Sequence, residues 1–154
     1  MCIRDRVYAL RQDGSLRWSF VAQKDIRSSV GGDGDDRVYV TSHDGALYAL
    51  GASGTVDWVF PTAAPMQSTP VVDARGDVYV GGQDNVLYAL DAGGKVRWTL
   101  DLPGDVDSSV AISPAGTLVF GCDDGHLRAY GAPAAEAGRE PPGTPEEGDA
   151  SSAG

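Results

Sequence analysis

Cysteine is scarce in this chain: only Cys2 and Cys122 occur. So few thiols exclude a disulfide framework and a sulfur-ligated metal cluster. Positive charge is also short, with 12 Lys and Arg against 22 Asp and Glu and a formal net charge of −10. A nucleic-acid partner would want a basic face to displace counterions from phosphates, so that class is excluded. Long apolar runs are missing: no stretch approaches the ~20 residues of a membrane-spanning helix, and no charged-then-apolar leader opens the sequence. Helical periodicity is missing as well. No ten-residue segment before position 131 repeats its apolar residues every 3.6 positions, so almost no helix is expected.

What is present is a repeat. Val78 to Leu100 (VYVGGQDNVLYALDAGGKVRWTL) falls on Val38 to Phe60 (VYVTSHDGALYALGASGTVDWVF) when shifted by 40 positions. Its second half falls again on Val7 to Phe20, and its first half on Leu118 to Tyr130. Trp18, Trp58 and Trp98 keep this spacing, as do Gly14, Gly54 and Gly94, and Tyr8, Tyr48 and Tyr88. A fixed period of that length marks an array whose units cannot bury their faces alone and need neighbours.

Each unit reads as four short strands. In the complete copy these are Ser68 to Asp73, Val78 to Gly82, Val86 to Asp91 and Val96 to Leu102, rich in Val, Tyr and Trp and separated by Gly- and Asp-bearing turns. Asp44-Gly45, Asp84-Asn85 and Asp124-Gly125 recur at one turn, where residues tolerant of positive φ permit a tight hairpin. Four antiparallel strands every 40 residues make one blade of a β-propeller. The expected fold is all-β: an incomplete propeller of about three four-stranded antiparallel blades over residues 7–130. The terminal blade edges would stay open, a liability for non-specific association. Residues 131–154, dominated by Ala, Pro, Glu, Gly and Ser, are expected to form a disordered tail or linker.

The first six residues, MCIRDR, resemble the translation of the transposon-end adapter used in sequencing libraries. Residues 1–6 are therefore expected to be foreign, with an unknown length of protein upstream. Cys2 falls with them, leaving Cys122 as a small buried apolar residue in a strand.

Packing between blades can be anticipated from size. Ala49 and Ala89 alternate with large neighbours and leave room, and the Trp of an adjacent blade is the expected filler. Trp18, Trp58, Trp98, Ala49 and Ala89 are thus expected blade-docking residues. The pairs Ser28-Ser29, Ser68-Thr69 and Ser108-Ser109 open the strand placed innermost, where small residues suit convergence on a channel.

At Ala89 to Trp98 the sequence resembles the pyrroloquinoline-quinone (PQQ)-type propeller repeat, whose tryptophan-docking motif is A-x-D-x-x-T-G-K-x-x-W. Ala89, Asp91, Gly94, Lys95 and Trp98 match, with one residue fewer and no Thr. Gly51 stands where Asp91 does, and Thr55 and Ser15 where Lys95 does. The resemblance covers Val7 to Tyr130 and implies Trp stacking on the Gly region of the neighbouring blade, which adds Gly54 and Gly94 to the expected blade-docking residues. It is nearest to the non-catalytic outer-membrane assembly-factor members. Other members are quinoprotein dehydrogenases, which hold PQQ and calcium over the channel with a catalytic Asp and adjacent cysteines.

No adjacent cysteines and no acid pair over the channel occur in the matched blades, so no catalytic residue, cofactor or metal ligand is assigned. The Gly32 to Asp36 cluster lacks the spacing of a calcium loop and occupies a turn. His43 and His126 have no nucleophile and acid at recognisable spacing. Arg27, Gln67 and Asp107 are equivalent positions carrying different polar groups, just before the innermost strand, and are the candidate channel-mouth binding residues. The expectation is a non-enzymatic scaffold for a protein or small-ligand partner. By the resemblance it is periplasmic, cell-surface or secreted. The alternatives are a fragment of a PQQ-dependent dehydrogenase or the sensory ectodomain of a receptor or kinase.

Overall fold

The computed structural model describes residues 4–131 and the backbone of Glu146–Glu147. Among the described residues there is no helix, and hence none long and apolar enough to cross a membrane. The strands form a hairpin and three four-stranded antiparallel sheets. The hairpin joins β1 (Arg6–Leu10) to β2 (Leu16–Val21). The first blade runs β3 (Gly31–Gly32), β4 (Val38–Ser42), β5 (Ala46–Leu50) and β6 (Val56–Pro61) in sequence order. The second repeats it with β7 (Val71–Val72), β8 (Val78–Gly81), β9 (Val86–Leu90) and β10 (Val96–Asp101). The third has β11 (Ala111–Ile112), β12 (Thr117–Gly121), β13 (Leu127–Gly131) and β14 (Glu146–Glu147). This is the open propeller arc that the repeat predicts.

The tight turns carry the expected backbone: Gly45, Asn85 and Gly125 have φ of 84°, 65° and 86°. The innermost strands are shorter than the pattern suggests. The run starting at Ser68 yields only Val71–Val72 as strand, and the equivalent runs yield only Gly31–Gly32 and Ala111–Ile112. The paired hydroxyls take over that end of the ladder. Ser68 Oγ accepts from the Gly81 N–H at 3.0 Å, and Ser108 Oγ accepts from the Gly121 N–H at 2.9 Å. The Ser pairs are therefore more than small: each ties an inner strand to the next one outward.

Three cores lie between the sheets rather than within them. Val7, Val40, Tyr48 and Leu50 pack the hairpin against the first blade. Tyr39, Leu47, Ala49, Met66, Val78, Val80 and Leu90 join the first blade to the second. Tyr79, Leu87, Ala89, Val106, Leu118 and Phe120 join the second to the third. Cys122 is buried in this last core, its thiol donating to the Gly104 carbonyl.

The last three residues of the MCIRDR stretch join the sheet through backbone alone. The Arg4 and Asp5 carbonyls accept from the Ile26 and Ala22 N–H groups, each at 2.7 Å, and Arg6 pairs with Val21. Such pairing asks nothing of side chains. The tail expected from position 131 lies outside the described residues, save Gly131 and the Glu146–Glu147 strand along β13.

Candidate functional site

Size and the family resemblance single out the blade-docking residues, and the structure shows what Trp18 and Trp58 touch in the next blade. Trp18 Nε1 donates to the Ala52 carbonyl at 2.9 Å, and Trp58 Nε1 to the Ala92 carbonyl at 3.0 Å. Each indole lies on the glycine of that same turn in the next blade. A Cβ on Gly54 would sit 2.7 Å from the Trp18 ring, and one on Gly94 would sit 2.6 Å from the Trp58 ring. Both glycines also have positive φ, at 80° and 83°. Only a residue without a side chain satisfies both demands. Asp91 shapes its turn by accepting from the Gly93 and Lys95 N–H groups at 2.8 and 3.0 Å, and these bonds lower its pKa. In the first blade, Gly51 holds the same turn through backbone alone, its N–H bonded to the Thr55 carbonyl. The region where Trp98 would find its own glycine lies outside the described residues.

Ala49 and Ala89 have a different role from the one inferred from size. Each sits in the middle of a row within its own blade: Tyr39↔Ala49↔Trp58 and Tyr79↔Ala89↔Trp98. The low methyl lets the flanking rings close over it, with centroids 5.7 Å apart in the first blade and 6.0 Å in the second. The filler of the alanine gap is thus the Trp of the same blade. Blade-to-blade aromatic contact comes from Phe20 on Tyr48 and Phe60 on Tyr88, at 5.1 and 5.2 Å, and from Trp98 on Tyr130 at 6.0 Å. Spacing along one strand could not distinguish these partners, because β-sheet registers place them in neighbouring strands.

The tyrosines are anchored by aspartates that the repeat analysis left unassigned. Tyr48 Oη donates to Asp44 at 2.7 Å and Tyr88 Oη to Asp84 at 2.5 Å; at the other ends of the blades, Tyr79 Oη donates to Asp73 at 3.1 Å. Burial first, and then these carboxylates, push the Tyr48 and Tyr79 phenols up to about 12 from an ordinary 10. A phenol pKa raised in the folded state stabilises the fold below pH 10, and that contribution is lost as pH rises through 12. Stability in urea should therefore hold to about pH 10 and fall between 10 and 12, with absorbance of tyrosinate appearing in the same interval. In the third blade Arg128 takes the tyrosine position and donates to Asp124 through Nη1 and Nη2, at 2.9 and 2.7 Å. That pairing holds the Asp124 carboxyl well below the usual range.

The three candidate binding residues, Arg27, Gln67 and Asp107, lie on the loops that lead into β3, β7 and β11. Gln67 Oε1 is 3.3 Å from His43 Nε2, and Asp107 Oδ2 accepts from Gln83 Nε2 at 3.2 Å. Both contacts span 24 positions and join one blade's β4–β5 or β8–β9 turn to the loop leading into the next blade. Arg27 is exposed and faces Asp25 at 3.7 Å. The residues thus mark successive junctions along one rim. His43, read from sequence as an isolated turn residue, belongs to that rim.

Negative charge accumulates at the last junction. Ligand oxygens of Asp105, Asp107 and Asp123 lie within 4.8 Å of one another. Burial and then the neighbouring Asp107, Asp123 and Asp84 raise the Asp105 pKa. The cluster escaped sequence reading because its members come from two blades' loops. At the opposite ends of the blades the Gly32 to Asp36 segment is a turn, with Asp33 Oδ1 accepting from the Asp35 N–H at 2.9 Å. A polar groove of about 320 Å³ opens there between Asp33, Asp35, Arg37, Asp73 and Arg75. Its arginines already face carboxylates, Arg37 with Asp57 at 3.0 Å and Arg75 with Asp73 at 3.4 Å.

Repeated four-stranded blades, docked by indoles on the glycine turns of their neighbours, define a PQQ-type β-propeller. The chain belongs to the family described as outer membrane protein assembly factor BamB, whose profile matches residues 4–136. The solved structure of BamB from Moraxella catarrhalis is similar, with a TM-score of 0.70 and 26% identity over 84% of this chain and 41% of that one. A structure of BBS1N in complex with ARL6DN shares the fold, with a TM-score of 0.67 and 21% identity over 82% of this chain and 44% of that one. The chain therefore spans less than half the length of the solved proteins it matches. No curated protein sequence matches it.

Proposed function

We propose that the chain forms part of a non-catalytic propeller scaffold that binds protein partners at the bacterial cell envelope, in the periplasm or at the cell surface. The observation that carries this reading is the contrast between copies. Residues that dock blades recur at fixed spacing, whereas Arg27, Gln67 and Asp107 on the mouth rim differ at each junction. Fixed physics holds the frame, and the rim is free to be shaped by a partner. Family membership supports the same reading, and so does the similarity to BamB. The rim's acidity at Asp105, Asp107 and Asp123 favours a partner that presents basic side chains there.

Titration of the full-length protein with PQQ and calcium tests the absence of catalysis. No saturable binding and no oxidation of alcohols or sugars is the expected result. Tight quinone binding with turnover would show that the propeller is a dehydrogenase.

A further inference from the structure

We propose that the groove between the first and second blades binds a small zwitterion, a primary ammonium and an oxyanion a few bonds apart. The groove lies at the end of the blades away from the mouth rim, and the inference is independent of the scaffold reading. It starts from the β3–β4, β7–β8 and β11–β12 turns, which are three copies of one device. The first residue of each holds the turn with a side-chain oxygen. Asp33 Oδ1 accepts from the Asp35 N–H, Asp73 Oδ1 from the Arg75 and Asp77 N–H groups, and Ser113 Oγ from the Thr117 N–H. The middle residue gives the turn only its backbone. Its side chain is nonetheless Asp35 in the first copy, Arg75 in the second and Ala115 in the third. Turn physics does not choose a charge at that position, so the two charges are open to another use.

Docking of the blades brings the two charged copies to one cavity. Asp35 and Arg75 both line the groove of about 320 Å³, together with Asp33, Arg37 and Asp73. They do not pair with each other. Among the described residues nothing bonds to the Asp35 carboxylate, and Arg75 Nη2 turns to Asp73 and Asp77 at 3.4 and 3.7 Å. Those are long contacts for a side chain that is 55% exposed, so Arg75 is free to swing toward a ligand. Arg37 is fixed by comparison, with Nε on Asp57 and Nη1 on the Ala92 carbonyl, both at 3.0 Å. The groove thus sets an unpaired carboxylate on the first blade against a loosely held guanidinium on the second. Its three carboxylates oppose a simple anion, and its two guanidiniums oppose a simple cation. A ligand carrying both charges, with ammonium toward Asp35 and oxyanion toward Arg75 and Arg37, meets neither obstacle. A guanidinium fork suits carboxylate and phosphate alike. The volume is at the small end for ligand pockets, which fits an amino acid or a single headgroup.

Phosphoethanolamine is the probe, titrated into the full-length protein and followed by NMR of the arginine Nε–H groups and the Gly34 and Gly76 amides. Saturable shifts with a Kd of about 1 mM or tighter are expected. Inorganic phosphate and ethanolamine, each alone, should bind about tenfold more weakly or worse. Asp35→Asn and Arg75→Gln should each weaken binding about tenfold, whereas Arg17→Gln, exposed on β2, should leave it unchanged. Both groove variants keep a turn that uses only backbone at that position, and circular dichroism checks their folding. If either fails to fold, the comparison with the two single-charge probes decides alone. Sedimentation with vesicles of phosphatidylethanolamine and phosphatidylglycerol, lost in Asp35→Asn, would make a lipid headgroup the source of the zwitterion. Binding in solution without sedimentation would make it a free solute, and either result supports the site. No saturable shift by about 20 mM overturns the proposal. So does phosphate or ethanolamine alone binding as tightly as the zwitterion.

Discussion

Replacing Trp58 by Ala should destabilise the chain by about 3 kcal/mol, the lower end of the range for large-to-small aromatic changes, because the ring is only partly buried. The indole joins two units at once. It closes over Ala49 against Tyr39 at 5.7 Å within its own blade, and it covers Gly94 and bonds the Ala92 carbonyl in the next. Arg37 Nη1 donates to the same carbonyl at 3.0 Å, so that acceptor stays satisfied after truncation while the apolar contact is lost. The loss should appear as a lower urea midpoint, with the second and third blades released from the first. Trp58→Phe should recover part of the packing but not the Nε1 bond. Urea unfolding of the three proteins, followed by far-ultraviolet circular dichroism, checks the ordering: wild type above Phe above Ala.

Gly31→Ala should be comparably severe, although it adds a single methyl group. A Cβ at this position would sit 2.2 Å from the Pro70 carbonyl oxygen, where two innermost strands approach. The obstacle is backbone of the adjacent blade, not the end of a flexible side chain. Nearby, the Ser29 N–H donates to Thr69 Oγ1 at 3.1 Å, so the two inner strands cannot part without breaking that bond. Overpacking of this kind costs about 1–3 kcal/mol and occasionally more. Gly34→Ala is the matched control: a Cβ there meets nothing within 4 Å, and only its positive φ of 85° is disturbed. The Gly31 variant should lose at least twice as much stability as the Gly34 variant in parallel melts.

Much of this architecture is legible in one sequence because a repeat compares the chain with itself. The blades and the turns at Gly45, Asn85 and Gly125 follow from residues that must recur, and the indole-on-glycine pairs Trp18–Gly54 and Trp58–Gly94 from the resemblance to the PQQ-type repeat. Pairwise relations across strands are harder. Ala49 lies in the core between two blades but takes its covering indole from its own, because a 40-residue period gives position and not register. The Tyr–Asp anchors do recur, as Asp44 with Tyr48 and Asp84 with Tyr88, and that spacing was available as a signal. Compensated changes hide best. Arg37–Asp57 in the first blade becomes Asp77–Arg97 in the second, at 3.0 and 2.8 Å, with the charges exchanged. Neither residue repeats, yet the ion pair does. Asp105, Asp107 and Asp123 could not be grouped at all without knowing which loops share a rim.

The central claim is that the hairpin holds the first blade, and the first blade the second, by laying an indole on a glycine turn. Nuclear Overhauser contacts between the Trp58 ring protons and the Gly94 α-protons test it most directly. The account predicts strong contacts, α-proton resonances of Gly54 and Gly94 shifted upfield by the rings above them, and indole N–H groups that exchange slowly with water. Indoles that exchange as fast as in the urea-unfolded chain, with no contact to either glycine, would contradict it.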